Sequence, residues 1–352
     1  MLSRLTIVVP TYNRQKFIPR LIDFWSNTGV SLVILDGSEK SWSSDDVKFV
    51  GGDFYYYHSN SSIEERLGAS VYYIHTDYVA LSSDDEFFLP SACASCIRFL
   101  DQNLSFSSCK GQAVGFGWTG FHVFGVPVYP NLSGYEIDCD DSSQRMLEHM
   151  ATYQMASLWA IQRRGVFEAC MRAISSGVAF SSAAAGEIQV SLITAFMGKI
   201  KVVDELMWLR SFENRNIWWA YGDLSIADWW RDSSKSEEHE RLLSSVVCFA
   251  TDANGVPPTR DQVYAALEAY VAYAENRVNS RGFIRSLVKN SFIGPQFALI
   301  KRILSKIPIF WDLLIHYRKR VSLTKYVRQY YSAKLAEVNE ISDRVSKFHS
   351  LK

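Results

Sequence analysis

The chain has 352 residues, 48% hydrophobic and 14% aromatic, which excludes a disordered or low-complexity protein and leaves room for one large domain with an appendage or for two. Its formal net charge is +0, yet residues 281–352 hold 15 Lys and Arg against 4 Asp and Glu, so a tail of +11 is balanced by an acidic body of −11. Six scattered cysteines, a start without the apolar core of a secretory leader, and no run of 18 uncharged apolar residues predict reduced thiols, a cytoplasmic protein and no membrane span.

In chain order, Leu5 to Val9 and Ser31 to Leu35 are apolar, β-branched runs that predict buried strands. Between them Phe17, Ile18, Leu21, Ile22 and Trp25 recur at helical spacing, which makes a βαβ unit with parallel strands. Phe54 to Tyr57 predicts a third strand, Ile63 to Thr76 a second helix, and Tyr78 to Leu81 a further strand. This alternation argues an α/β layered sheet. Cys93 and Cys96, a CxxC without a second pair, fit small residues on a packed helix. The Gly- and aromatic-rich text from Val114 to Val128 predicts a bent strand or hairpin. Helices follow at Ser142 to Met155 and Arg164 to Ile174, then a small-residue loop from Ser175 to Gly186 that opens a helix from Glu187 to Met197. A strand from Ile200 to Val203 and the segment Glu205 to Arg210 close the body, and beyond Phe212 the text is Trp-rich, then charged, then mostly helical.

In an open α/β sheet ligands sit outside the carboxyl ends of the strands. The polar residues fall there: Pro10-Thr11-Tyr12-Asn13-Arg14, Asp36-Gly37-Ser38 and Ser83-Asp84-Asp85-Glu86. Thr, Tyr and Arg after the first strand suit hydrogen bonding and stacking of a nucleobase, and Asp36 is placed to accept from a base or ribose. Alone, Asp36-Gly37-Ser38 is equally an ordinary turn. Three consecutive carboxylates repel one another unless a cation compensates. A divalent metal that shares its shell with phosphate oxygens is one explanation, and the acidic N-terminus of a helix starting within SDDEFFLPSA is the other.

The runs LTIVVPTYNR, VILDGS and DYVALSSDDEFFLP, in that order and spacing, resemble the family-2-like glycosyltransferases with the GT-A fold, a Rossmann-like α/β mixed sheet flanked by helices. The resemblance spans residues 1 to about 90 closely and extends to about 210. It implies a nucleotide-diphosphate sugar held by Pro10, Thr11, Tyr12, Arg14 and Asp36, with Ser83 and Asp84 beside it. It also implies a divalent cation, Mn2+ or Mg2+, on the acidic motif, with Asp85 the first ligand and Asp84 and Glu86 further candidates. The chain departs from the family in Leu-Asp-Gly-Ser and in Asp-Asp-Glu, which leaves the division of ligands open. Inverting members place a carboxylate base at the start of a helix roughly 100 residues after the metal motif, which implies Glu187; Asp138, Asp140 and Asp141 are rivals. Arg163, Arg164 and Arg210 are candidates for the diphosphate, and Trp118 and Trp159 for a sugar platform. The isolated His75 and His149 are expected to be structural.

The resulting expectation is a catalytic domain over residues 1–212 and a mostly helical region over 213–352. The expected reaction is metal-assisted, inverting transfer of a sugar to a hydroxyl of a glycan or lipid-linked glycan, of the surface-polysaccharide kind, lipopolysaccharide or capsule. A sugar-phosphate nucleotidyltransferase and a non-catalytic nucleotide-sugar scaffold are the alternatives. The basic stretch from Phe283 to Tyr317, followed by further basic text, suits the inner face of an anionic membrane as well as it suits a helix packed on the body or a homodimer contact. No nucleic-acid-binding module accompanies the charge.

Overall fold

The computed structural model describes residues 1–43, 49–214, 225–290 and 321–350, with only the backbone for 277–290. Most of the basic stretch from Phe283 to Tyr317 therefore lies outside the described residues.

Ten strands form one sheet: β1 (Leu5–Thr11), β2 (Ser31–Asp36), β3 (Phe54–His58), β4 (Tyr78–Leu81), β5 (Phe87–Phe88), β6 (Phe106–Trp118), β7 (Val123–Pro127), β8 (Glu136–Ile137), β9 (Ile161–Arg163) and β10 (Lys199–Ser211). The order is β3-β2-β1-β4-β9-β6-β10-β5, with β7 on β6 and β8 on β10. The first four strands are mutually parallel. β9 runs antiparallel to both β4 and β6, and β10 runs parallel to β6. Six strands therefore direct their carboxyl ends to the same side. β1 and β2 are buried on both faces, as continuous apolar runs in a parallel sheet should be.

Eleven helices are described: α1 (Ile18–Trp25), α2 (Ile63–Ala69), α3 (Pro90–Gln102), α4 (Ser142–Ala151), α5 (Arg164–Ser175), α6 (Ala183–Met197), α7 (Ile226–Arg231), α8 (Ser236–Phe249), α9 (Arg260–Asn290), α10 (Leu323–Tyr330) and α11 (Leu335–Ser350). α5 packs against α2, α6 and α8, α4 lies against α6 and α9, and α3 covers β6 and β10. α10 crosses β7, so part of the C-terminal text closes on the sheet. No helix among the described residues is long and apolar enough to cross a membrane.

Five local expectations change. The helix from Ile63 stops as an α-helix at Ala69 and tightens into a 3-10 turn at Ser70–Tyr73. The hairpin at Val114 belongs to a strand that starts at Phe106, and the two segments of 200–210 are one strand whose register shifts between Val202 and Leu206. α6 begins at Ala183, so Glu187 sits in its second turn rather than at its start. The acidic motif does not cap a helix: Asp84 and Asp85 form a turn, β5 follows, and α3 begins only at Pro90 with no side-chain cap.

Candidate active site

The carboxyl ends of β1, β2 and β4 bring the first three motifs together. Thr11 Oγ1 donates to Asp84 Oδ2 at 2.6 Å, and Arg14 Nη2 lies 2.5 Å from Asp84 Oδ1 and 2.6 Å from Asp85 Oδ1. Neither ion pair has hydrogen-bond geometry: Arg14 Nε and Nη2 and Asp84 Oδ1 are buried without a hydrogen-bond partner. Two carboxylate oxygens thus converge on one point, and a single guanidinium compensates two acids. Burial pushes the Asp84 carboxyl up to about 7 against the pull of Arg14, so the site is short of positive charge. Among the described residues no cluster of three His, Cys, Asp or Glu side chains is set for a metal. The converging Oδ1 atoms of Asp84 and Asp85 nonetheless suit a divalent cation that takes two protein oxygens and fills its shell from a phosphate. The remaining Asp85 oxygen, Oδ2, accepts from Asn214 Nδ2 at 2.7 Å.

Glu86 does not join that pair. Its Oε2 accepts from Trp208 Nε1 at 2.8 Å, and burial, with Asp85 nearby, pushes its carboxyl up to about 8. Its Oε2 is taken by the Trp208 indole, whereas the Oδ1 atoms of Asp84 and Asp85 meet at Arg14, so the metal expectation narrows to Asp85 and Asp84.

Asp36 is also changed. It is fully buried, its Oδ2 accepting from Gln15 Nε2 at 2.5 Å and Tyr56 Oη at 2.6 Å, its Oδ1 from Ser38 N at 2.8 Å. Burial would raise its carboxyl, but the donors of Ser38, Tyr56 and Gln15 hold it below the ordinary range. Asp36 therefore organises the loop as an anion rather than offering a free acceptor. Tyr12, directly after β1, is 52% exposed. Pro10 is the penultimate residue of β1 and shapes the exit of the strand, and the Ser83 carbonyl accepts from Glu86 N within the acidic turn.

A residue not foreseen in the sequence is Arg66. Its guanidinium is buried and donates to the Thr11 and Leu35 carbonyls at 3.1 and 2.8 Å. A Cβ on Gly37 would fall 2.3 Å from its Cζ, which explains the glycine after Asp36. The available signal was Ser62-x-x-Glu65, a capping box that opens α2 and fixes the helix carrying Arg66.

Across β9 lies a second cluster. Lys110, fully buried in the middle of β6, holds its Nζ 4.2 Å from the Trp208 ring centre and donates to the Met155 carbonyl at 2.9 Å. Burial pushes its amine down to about 7, while Glu86 and Glu187 pull it back up. Trp159 and Tyr129 both stack on Trp208, and Arg210 donates to Tyr129 Oη. Glu187 Oε1 accepts from Tyr153 Oη, and burial raises its carboxyl against Tyr153, Lys110 and Arg210. Lys110, which feels both Glu86 and Glu187, thus links the acidic turn to Glu187.

Other candidates fall elsewhere. Arg163 pairs with Tyr78 at the amino end of β4 and donates to the Phe106 and Leu100 carbonyls, and Arg164 lies 3.9 Å from Glu168, so neither is at the site. Asp140 pairs with Lys199 at the start of β10, and Asp141 caps α4. His149 is fully buried between Tyr135 and Ser157, whereas His75 is exposed, with its ring edge-on to Tyr55 at 6.1 Å. Trp118 stacks on His349 and Trp159 on Trp208.

No protein-family model matches the chain, and no curated protein does. Among solved structures, S. aureus TarS 1–349 in complex with UDP-GlcNAc is similar at 13% identity and a TM-score of 0.50, over 99% of this chain and 92% of that one. The same TarS segment, and that segment in complex with UDP, match at 11% identity over the same shares, with TM-scores of 0.49 and 0.48. The mixed sheet, the carboxyl ends gathered at one side and this overall likeness agree: the chain has the GT-A fold.

Proposed function

We propose that the chain is a glycosyltransferase that moves a sugar from a nucleotide-diphosphate donor to a hydroxyl of a glycan or lipid-linked glycan, with inversion. The observation that carries this reading is the convergence of Asp84 Oδ1 and Asp85 Oδ1 on one cationic point at the carboxyl ends of β1, β2 and β4. A UDP-sugar is the first donor to try, because the TarS structure of like fold is a UDP-GlcNAc complex. Tyr12 would stack the base, and Arg66 with the loop around Asp36 would shape its seat.

Asp85 and Asp84 would hold a divalent cation, which when bound neutralises charge on the leaving diphosphate. Glu187 is the base of this proposal. Its raised carboxyl is a stronger proton acceptor than an ordinary one once ionised, and the Tyr153 hydroxyl orients Oε1. It would take the acceptor's hydroxyl proton as that oxygen attacks the anomeric carbon from the face opposite the diphosphate. A nucleotidyltransferase is less well served, since the loop after β1 has neither a glycine nor a lysine before Lys16.

The test is UDP release and sugar transfer from a panel of UDP-sugars with Mn2+ and glycan acceptors. Cation-dependent release is expected; no release from any donor under these conditions overturns the reading.

A further inference from the structure

α11 buries Val338, Ile341 and Val345 along one face, and its last turn places Phe348 and His349 against the body of the protein. Phe348 stacks on Phe17 at 5.0 Å, with the Arg20 guanidinium 4.6 Å from its ring centre. The His349 ring lies 5.4 Å from that of Trp118 and within 2° of parallel, and its Nε2 is 2.6 Å from Glu213 Oε1. The Glu213 side chain is wholly buried and is gripped from its other side by Arg20, with Nη1 to Oε1 at 2.9 Å and Nη2 to Oε2 at 2.8 Å. The same Arg20 Nη2 donates to the Asp85 carbonyl at 3.2 Å, and Asn214, next to Glu213, holds Asp85 Oδ2.

We infer that the last turn of α11 belongs to the donor site. Phe348 and His349 are positioning residues that fix Glu213 and Arg20, and through them the peptide and carboxylate of Asp85. The inference rests on the nucleotide-sugar reading of the site. Its physical basis is that a buried carboxylate keeps one geometry only while all its hydrogen-bond donors are in place, and Glu213 is the shared acceptor of two elements distant in sequence. The C-terminal segment is therefore a component of catalysis rather than an accessory tail.

The experiment is titration calorimetry of UDP into the full chain with saturating Mn2+, beside melting temperatures without nucleotide. The variants are His349→Ala, His349→Gln, Glu213→Gln and, as a control on the same helix, Arg344→Ala, which breaks a contact with Asp23 away from Asp85. His349→Ala and Glu213→Gln are expected to weaken UDP about tenfold, the effect of losing one charge-assisted hydrogen bond. His349→Gln, which can still donate to Glu213, is expected to restore most of that loss, and Arg344→Ala to bind as the wild type does. Equal UDP affinity in all variants overturns the inference. So does a loss in Arg344→Ala as large as in His349→Ala, which would make α11 a structural brace only. Failure of the wild type to bind UDP overturns the nucleotide-sugar reading itself, and this inference with it, before any variant is compared.

Discussion

The two halves of the sheet hold their charges in opposite ways. In the parallel half, β3-β2-β1-β4, Asp84 and Asp85 sit on a turn after a strand, where Arg14 and Thr11 meet them. In the half built of β9, β6 and β10, the charges sit within strands: Lys110 midway along β6, with Trp208 and Arg210 on β10. A charge on a turn can exchange its partners for a ligand by local rearrangement. One inside a strand is held by the ladder on both sides, and burial moves its proton affinity instead, as the amine of Lys110 shows. In the proposed reaction the first half would bind the donor and the second would support Glu187 as the base.

The largest effect should come from breaking the second half alone. Glu187→Gln keeps the volume and the contact with Tyr153 but removes the base, and transfer is expected to fall by about 10² to 10⁴ while UDP affinity stays unchanged. The pH profile sharpens the same point. Because the Glu187 carboxyl is raised, it ionises at a higher pH than an ordinary one, so kcat/KM should climb with pH above the usual carboxylate range. That acidic limb should vanish in the residual activity of Glu187→Gln; a limb that persists would assign it to another group.

A smaller effect is expected in the parallel half. Gly37→Ala places a methyl group on the Arg66 guanidinium and displaces its bonds to the Thr11 and Leu35 carbonyls, leaving Thr11 only the N–H of residue 37 among the bonds described. The expected loss of stability is about 1–3 kcal/mol by denaturant unfolding, with Arg66→Lys intermediate. No change would mean that Arg66 moves aside freely.

A last effect, confined to acid, leaves activity and stability at neutral pH unchanged. Burial lowers the His149 imidazole from 6.5 to about 3, so the native state disfavours its charged form. Its contribution to stability is full above 6.5 and is lost as pH falls from there towards about 3. The melting temperature should decline over that window, and His149→Asn should flatten the slope.

Much of the parallel half was legible, because its signals are local. An apolar β-branched run followed by Thr-Tyr-Asn-Arg, Asp-Gly-Ser or Ser-Asp-Asp-Glu states both the strand and the end at which its polar residues gather. The roles inside that cluster were less legible. Nothing in the order Asp84-Asp85-Glu86 shows that the third side chain turns to Trp208, since that depends on β10, more than a hundred residues later. Asp36 presented the same difficulty, because Tyr56 and Gln15 reach it only once β3 and the loop after β1 are in place. The other half hid its chemistry in strands. Lys110 stands among Ser, Cys, Gly and Gln in FSSCKGQAVGFGW, where nothing marks it as buried; Trp208, over which its amine sits, comes from the neighbouring strand β10. The basic character of residues 281–352 did not tell a membrane surface from a helix packed on the body; in α11 the buried Val338, Ile341 and Val345 show a packed helix, while most of Phe283 to Tyr317 lies outside the described residues.

The central claim is that Asp84 and Asp85 form a cation site for a nucleotide diphosphate. Calorimetric titration of UDP into wild type and Asp85→Ala, each with Mn2+ and with chelator, tests it directly. The account predicts binding that requires Mn2+ in the wild type and is lost in Asp85→Ala, with the fold intact by melting temperature. UDP binding that is equally tight without the cation, or that survives in Asp85→Ala, would contradict it.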